Sequence, residues 1–481
     1  MLILTILIPI LATIAILSGV SARRSAMVAA AINLVLGVLA WVTPGAGFWN
    51  FSIPVLSRPE ISLGLGLIDG MSVVMLLLAV IVTFAAVLSG KAPEGKERMY
   101  YGSSLLISAG AIGAFVSTDL FFFYAFHELA LIPTFLMIGM LGRGENRQAV
   151  AWKITIYLGF GSLILLAGLV WLASALGTFS IPEMLEGGAS IAADEQAPIA
   201  GLLLLGFGVL VSLFPFHSWA APAYASAPAP TTMLHAGVLK KFGLYGLLRL
   251  AVPLVPEGLY AWLVPLCVLL LGNVLWVGMV TINQKRLDGM LGNSSVMHMG
   301  YIFLAIAALA AVPGEENSLA IAAATLLMFA HGISIAMLFG LADRIERVTG
   351  TLDLDQLGGL AKPAPMFGFL FGLVAMASIG LPGLANFAGE ILIFIAAFAD
   401  FDPAAGLGPV QITAILAIFG IVISAVYMLR AYRKIFQGPT VNATQGAADL
   451  TMADRIPALV LGVILLAVGL YPNLLLHLFD K

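Results

Sequence analysis

The chain has 481 residues, of which 61% are hydrophobic and only 10% are charged, and its formal net charge at pH 7 is -3. Soluble domains carry roughly 25% charged residues, so this composition excludes an ordinary water-facing surface and predicts an integral membrane protein in contact with the lipid bilayer. The small net charge and the lack of a long basic run exclude nucleic-acid binding.

Apolar runs follow one another along the chain and predict an all-α integral membrane fold with about 14 transmembrane helices. Because bilayer hydrocarbon offers no hydrogen-bond partners, such runs must pair their backbone groups internally as helices. The first run continues into Arg23 and Arg24 without a convincing cleavage site, so we interpret it as a span and not as a cleaved signal. The predicted spans are 1–20, 25–43, 68–90, 101–118, 119–141, 150–176, 198–217, 230–251, 258–281, 292–312, 318–342, 365–398, 409–432 and 456–478.

The charges of the loops predict the orientation of the chain, because Lys and Arg concentrate on the cytoplasmic side of a membrane. Loops after odd-numbered spans are basic or neutral, whereas most of the opposite loops are acidic. Arg58 and Arg249 are the main exceptions. Both termini are therefore predicted to face the outside.

The seventh and twelfth spans each contain a helix-breaking motif deep in the apolar run, at residues 214–217 (FPFH) and 380–383 (GLPG). Proline removes a helix hydrogen bond and clashes with the preceding turn, so both helices are predicted to break. Five spans separate the two breaks, and an odd number reverses orientation, which predicts two inverted five-helix repeats of the kind found in transporters. A kink that serves only packing is the alternative. The predicted units are helices 1–3 (residues 1–100), a first repeat of helices 4–8 (101–251), a second repeat of helices 9–13 (258–436) and a C-terminal helix (456–481).

Glu128 is the acidic residue that stands out in the membrane-spanning runs, within the sequence FFFYAFHELALIPTFLMIGM. An intramembrane carboxylate is costly unless it is paired, protonated or hydrated, and it is a functional candidate for that reason. A buried carboxyl group near an ammonium group is suited to taking up and releasing protons. The alternative is a buried ion pair that only fixes helix packing.

Three of the basic residues in the eighth span are functional candidates: His235, Lys240 and Lys241. At about 100° per residue the two lysines cannot face the same partner, so one is predicted to face the bundle, in the direction of Glu128, and the other to snorkel. His235 titrates near neutrality and is able to pass on a proton, although a lone membrane histidine is as often a packing residue. Lys153 lies near the basic end of its span, where snorkelling explains it.

In the second half of the chain, His298, His331 and Glu390 fall in separate spans. His298 follows Glu128 by nearly the same interval that separates the two helix breaks, which predicts an equivalent place in the second repeat. A row of titratable groups across the middle of the membrane is what lateral proton transfer requires. Sequence spacing does not establish that these side chains meet.

No metal or cofactor site is recognisable in the sequence. The glycines do not form a phosphate-binding loop, and Leu131 replaces the second histidine of a zinc-protease motif that would begin at His127. The single cysteine, Cys267, excludes a cysteine-ligated cluster within the chain. His217 is predicted to cap or hydrate the break in the seventh span.

Together these motifs resemble the antiporter-like subunits of respiratory complex I, and most closely the NADH-quinone oxidoreductase subunit M family. The resemblance extends over roughly residues 60–440, with the motifs in the family's order and spacing. Glu128 matches the essential glutamate of the fifth helix. The matching segments are 67–72 (LIDGMS), 128–133 (ELALIP), 215–219 (PFHSW), 236–246 (AGVLKKFGLYG), 295–300 (SVMHMG), 331–332 (HG) and 380–390 (GLPGLANFAGE).

The resemblance implies a hydrated proton path that is coupled to quinone reduction elsewhere in the complex. Its members would be Glu128, Lys241, His298, His331 and Glu390, with Lys240 and His235 as further candidates. The implied partners are the neighbouring subunits of the L and N types in a bacterial inner membrane. FMN and iron–sulfur clusters are expected in other subunits, quinone is expected in the wider complex, and no cofactor is expected in this chain.

The chain departs from the family pattern at the expected partner of Glu128. Leu210 stands where the family carries a lysine in the broken seventh helix, and residues 219–223 (WAAPA) lack the acidic residue of the family's W-L-P-[DE]-A. Either Lys240 replaces the missing ammonium group, or this proton path is impaired. His235 matches a histidine of the related subunit L, which favours a rewired path.

Three functions therefore compete at this stage. The first is a proton-translocating membrane subunit of an NADH:quinone oxidoreductase, and the second is a subunit of a multisubunit sodium/proton antiporter or of a membrane-bound hydrogenase. The third is a structural subunit that does not pump.

Overall fold

A computed structural model describes residues 1–186, 191–314 and 317–479. Within them, eleven helices are long and apolar enough to cross a membrane, and three shorter apolar helices accompany them. The predicted all-α membrane fold is confirmed, whereas the count of about 14 crossings, the inverted repeats and the domain boundaries remain predictions.

The first half of the chain contains nine helices in the described range and one β-hairpin. They are α1 (Leu2–Leu17), α2 (Ala22–Val42), β1 (Phe51–Ser57), β2 (Glu60–Leu65), α3 (Gly70–Ser89), α4 (Glu97–Val116), α5 (Leu120–Leu141), α6 (Arg147–Leu176), α7 (Ile181–Glu186), α8 (Ala193–Val211) and α9 (Ala220–Ser226).

The following helices include many short segments as well as the two longest buried helices, and they carry the second break. They are α10 (Ala229–Leu234), α11 (Lys241–Gly246), α12 (Val252–Leu254), α13 (Pro256–Ala261), α14 (Leu263–Leu271), α15 (Gly278–Ile282), α16 (Leu287–Ala310), α17 (Ser318–Thr349), α18 (Pro365–Ile379), α19 (Ala385–Ala396), α20 (Pro409–Ala417), α21 (Phe419–Phe436), α22 (Met452–Leu470) and α23 (Asn473–Leu476).

Helices α16 and α17 form the centre of the bundle. Both are buried almost all the way round, as expected for helices that are apolar on every face. Helix α17 packs against α3, α16, α18, α19 and α22, so side chains from both halves of the chain meet it. Helices α2 and α22 keep one exposed apolar face, which fits contact with lipid.

The β-hairpin is the element that the apolar runs do not predict. Strands β1 and β2 pair antiparallel, with a register irregularity between Pro54 and Leu56. The amide of Ser62 donates a hydrogen bond to the Asp119 carboxylate (3.0 Å), which also caps the first turn of α5. The hairpin is thus tied to the end of a membrane helix.

The first predicted break lies between α8 and α9. Helix α8 ends at Val211, and Ser212 adopts a left-handed conformation with a φ of 70°. The freed backbone groups find a partner in Asn273, whose Oδ1 accepts from the Phe214 amide (2.7 Å) and whose Nδ2 donates to the Ser212 carbonyl (3.1 Å). A broken helix in a membrane requires such substitutes.

The second predicted break lies between α18 and α19. Gly380 and Gly383 have φ values of 84° and 89°, which side chains rarely adopt, so glycine suits both positions. A Cβ atom on Gly380 would also collide with the Glu390 carboxylate. The turn therefore places an acidic side chain directly against an interrupted helix.

Residues 229–254 form one nearly continuous helix, built from α10, α11 and α12 and two π-helical turns at His235–Leu239 and Leu247–Ala251. Such π-turns frequently occur at functional sites. The first one ends just before Lys240 and therefore sets the direction of both lysine side chains. We refer to residues 229–254 as the lysine helix.

Candidate functional site

Lys241 of the lysine helix is fully buried and reaches across to α17. Its Nζ donates to the carbonyl of Ala236 (2.6 Å) and lies 2.9 Å from Nδ1 of His331. When Lys241 donates, Nδ1 of His331 accepts and its proton is on Nε2, which has no partner among the described residues. A lysine of the lysine helix and a histidine of α17 thus lie within hydrogen-bond distance of each other.

Two glycines make this close approach possible. A Cβ atom on Gly332 would lie 2.6 Å from the carbonyl oxygen of Gly237, and a Cβ atom on Gly237 would lie 3.0 Å from that of Gly332. Small residues let membrane helices approach at backbone distance. They occupy the level at which Lys241 meets His331.

His298 on α16 continues the row. Its ring centroid lies 5.7 Å from that of His331. Its Nδ1 lies 2.8 Å from the carbonyl of Ser294 in the preceding turn, and its Nε2 lies 3.0 Å from the carbonyl of Ser378 at the end of α18. His298 therefore connects the central histidine to the second helix break.

Glu390 lies on the other side of the same break. It is buried, makes no ion pair among the described residues, and its Oε1 has no hydrogen-bond partner there. Its carboxylate lies against Gly380, two residues after Ser378. The structure thus brings Lys241, His331, His298 and Glu390 into one buried region, as a proton path requires.

The predicted snorkelling of one lysine is wrong. Lys240 is 1% exposed, because both lysines are enclosed by the bundle. Its Nζ lies 3.5 Å from Ser295 Oγ and 5.7 Å from the ring centre of Tyr224. Tyr224 also contacts Nδ1 of His235 (3.3 Å), so the candidates His235 and Lys240 share one tyrosine.

Glu128 lies apart from this cluster. Its side chain is 35% exposed in an open groove of about 400 Å³ between α5 and α6, among apolar side chains. It accepts a hydrogen bond from Ser162 and contacts His127 Nδ1 (3.3 Å). Within the described chain neither Lys240 nor Lys241 forms an ion pair with it, so the predicted lysine partner is wrong for this structure.

The residues around the first break are consistent with the separation of Glu128 from the buried lysines. Leu210, where the resemblance expects a lysine, is buried in the last turn of α8. His217 stacks on Phe214 with ring centroids 5.4 Å apart, and its Nδ1 has no partner in the described part of the chain. That it caps or hydrates the break stays a prediction. Lys153 is partly exposed over Tyr157, and its snorkelling at a membrane boundary stays a prediction.

One ion pair, between the buried Arg249 and the partly exposed Asp69, was not predicted from the sequence. Arg249 donates to both carboxylate oxygens of Asp69 (2.6 and 2.8 Å) and also to Ser72 Oγ (3.1 Å) and Tyr245 Oη (3.3 Å). The signal in the sequence was Arg249 itself, an unexplained charge at the end of an apolar run. Its pairing joins the lysine helix to α3.

The fold and the buried row of titratable groups define a polytopic antiporter-like membrane subunit. Residues 117–405 match the model of the NADH:quinone oxidoreductase/Mrp antiporter transmembrane family. The chain belongs to this family, as its motifs predicted.

Curated relatives support the same family. The chain is 35% identical over 426 residues to an NAD(P)H-quinone oxidoreductase chain 4 of Synechococcus elongatus, covering 88% of this chain and 78% of the relative. A second such chain, from another Synechococcus, is 32% identical over 492 residues, covering 99% and 90%.

Solved structures agree with the fold. A chain of respiratory complex I from Thermus thermophilus matches with a TM-score of 0.88 at 27% identity, over 100% of this chain and 98% of that one. A chain of the Mrp complex from a Dietzia species matches with a TM-score of 0.83 at 22% identity, over 99% and 95% of the two chains, which shows the shared fold alone.

Proposed function

We propose that this chain is a proton-translocating membrane-arm subunit of an NAD(P)H:quinone oxidoreductase of the complex I type. The observation that carries the proposal is the buried contact of Lys241 with His331, continued by His298 towards Glu390. Buried ionisable groups in a membrane are expensive and mark ion or proton pathways. Four of them in one region serve lateral proton transfer.

In the proposed path, the Lys241 ammonium group gives a proton to His331 Nδ1. His331 then gives up its Nε2 proton towards His298, which leaves the opposite tautomer. Histidine suits this step because its two nitrogens can accept and donate in turn. Glu390 receives the proton at the break in the twelfth predicted span, and quinone reduction elsewhere in the assembly supplies the driving force.

In the proposed path, protons enter by way of Glu128, Lys240 and His235. Glu128 is a carboxyl group in an apolar groove, and a neighbouring membrane subunit, of the L or N type, would cover it. Lys240 and His235 meet at Tyr224 and would carry protons inward where Leu210 interrupts the family's usual route. FMN, iron–sulfur clusters and the quinone site belong to partner subunits, and the assembly lies in a bacterial plasma membrane.

A structural subunit that does not pump is the second candidate. The observation that favours it is the position of Glu128, which has no lysine within ion-pair distance in the described chain while Leu210 occupies the expected lysine site. This candidate keeps the fold and the partners but assigns the buried charges to packing.

The test is purification of the tagged chain with its native assembly in mild detergent, followed by reconstitution into liposomes. We expect quinone reduction by NADH or NADPH to acidify the lumen without any requirement for sodium. Co-purification of the redox subunits without acidification would contradict the pumping proposal. Acidification that needs a sodium gradient and no quinone would favour a cation antiporter.

Gly332→Ala tests whether helix approach sets the relay geometry. The new Cβ atom would meet the Gly237 carbonyl and separate the lysine helix from α17, which lengthens the Lys241–His331 contact. We expect the initial rate of proton uptake to fall by roughly tenfold or more, since small misplacements of reacting groups are costly.

Gly340→Ala is the matched control on the same helix, because its Cβ atom would lie 3.5 Å from Met233 Sδ, an ordinary contact. Proton uptake by the Gly340→Ala assembly should stay at the native rate. Equal rates in both variants would show that the reciprocal glycine contact does not position the relay.

A further inference from the structure

His298 is held by two carbonyl groups, one at each ring nitrogen. Nδ1 faces the Ser294 carbonyl at 2.8 Å, and Nε2 faces the Ser378 carbonyl at 3.0 Å. A carbonyl oxygen only accepts, and a neutral imidazole has only one N–H group to donate. Both contacts are hydrogen bonds only when the ring carries two protons.

The Ser378 carbonyl is available because α18 ends there. The last carbonyls of a helix lack intrahelical donors, and the amides of Gly380 and Leu381 turn back to Ala377 and Met376 instead. The negative end of the helix dipole lies at the same place and favours a cation. The break thus offers His298 an acceptor that an unbroken helix would not provide.

The first break provides a comparison in which the side chain that caps the freed backbone groups does not titrate. There Asn273 both accepts from the Phe214 amide and donates to the Ser212 carbonyl. An amide side chain keeps these bonds at every pH. The two breaks are therefore capped by chemically different side chains, one permanent and one dependent on a proton.

We propose that the second proton of His298 stabilises the break between α18 and α19, because it makes the hydrogen bond that caps the Ser378 carbonyl. Each proton that leaves the relay removes this cap and destabilises the broken helix. The inference rests on the proposed function for the origin and destination of the proton. The Nε2–H bond of the imidazolium breaks, the proton passes to the Glu390 carboxylate to give a neutral carboxylic acid, and His298 is left neutral. Its Nε2 lone pair then faces the Ser378 carbonyl oxygen, which removes the cap and repels it.

Other ionisable groups around His298 influence the pH at which it loses its second proton. Lys241 reaches it through His331, and Lys240 contacts Ser295 on the same helix. Titratable and charged groups on α16 and on the elements packed against it include Tyr301 of α16, Tyr224 of α9, Lys240 and Lys241 of the lysine helix, His331 of α17, Glu390 of α19 and Tyr427 of α21, whereas Asp288 of α16 lies ten residues before His298. Protonation of His298 is favoured at low pH, so the Ser378 carbonyl is capped there and loses its cap as the pH rises.

The test is hydrogen–deuterium exchange of the purified assembly at several pH values, followed by mass spectrometry. Exchange in peptides that cover residues 376–388 is divided by exchange in peptides that cover the first break, residues 209–221, which cancels the intrinsic effect of pH. We expect this ratio to rise about tenfold with pH in the native assembly, as for the loss of one charge-assisted hydrogen bond.

Two substitutions distinguish the effect of the titrating proton from the effect of the hydrogen bond that caps the Ser378 carbonyl. His298→Gln keeps an amide donor for the Ser378 carbonyl but cannot titrate, so its exchange ratio should stay low at every pH. His298→Leu provides no donor, so its ratio should be high at every pH. A native ratio that does not change with pH, or a His298→Gln ratio that follows the native one, would overturn the proposal. Neither result depends on whether the assembly pumps protons, so failure of the pumping proposal is distinguishable.

Discussion

Replacement of Lys241 by methionine is expected to lower the initial rate of quinone-coupled proton uptake by roughly tenfold or more, the scale of a lost proton-transfer group. Methionine keeps most of the apolar volume of the lysine side chain, so the bundle should still pack. What is lost is the donor to His331 Nδ1 and to the Ala236 carbonyl. Proton uptake is measured in liposomes that contain the assembly, with a fluorescent pH indicator.

Lys153→Met is the matched control. It removes the same ammonium group from a partly exposed position over Tyr157, outside the buried row. The Lys153→Met assembly should pump at the native rate. Native pumping by Lys241→Met itself would remove Lys241 from the relay and favour the structural function.

Glu128→Gln is the second substitution with a large expected effect. Glutamine retains an oxygen that can accept the Ser162 hydrogen bond, but its amide does not bind and release a proton as a carboxyl group does. We expect proton uptake to fall by roughly tenfold, while the assembly keeps its subunit composition. The rate of acidification and the subunits retained on a sizing column are the two measurements.

Glu195→Gln makes the same chemical change in the first turn of α8, where Glu195 accepts a hydrogen bond from Trp171 Nε1 (3.2 Å). It should leave pumping unchanged. If Glu128→Gln pumps like Glu195→Gln, Glu128 is a packing residue in its groove and protons enter elsewhere.

The charges of the central row could be predicted from sequence because each is unusual where it stands. Lys241, His298, His331 and Glu390 are polar residues in apolar runs, and such residues are costly enough to require a reason. Their mutual contacts could not be predicted. The distance from Lys241 to His331 depends on how the lysine helix packs against α17, which the spacing within one helix does not determine.

The breaks were predictable and their caps were not. Proline and glycine at residues 214–217 and 380–383 interrupt a helix for local steric reasons, so the sequence carries the signal. Asn273 and the Ser378 contact of His298 come from distant helices. A buried asparagine in an apolar run is the one signal that could have pointed to the first cap.

The fate of Glu128 and Asp69 shows the limit of reasoning from one helix at a time. The missing lysine at Leu210 was visible in the sequence, but the outward groove in which Glu128 lies depends on the packing of α5 against α6. Asp69 and Arg249 are 180 residues apart, and the unexplained charge of Arg249 gave no indication of its partner. Only the packed structure brings them together.

The number of protons taken up per quinone reduced tests most directly whether this chain carries protons. The ratio is measured with a limiting pulse of quinone in liposomes that contain the native, Lys241→Met or Lys153→Met assembly. We predict a lower ratio for Lys241→Met than for the native assembly, and the native ratio for Lys153→Met. An unchanged ratio in Lys241→Met, at an undiminished rate of quinone reduction, would contradict a proton path through Lys241 and His331.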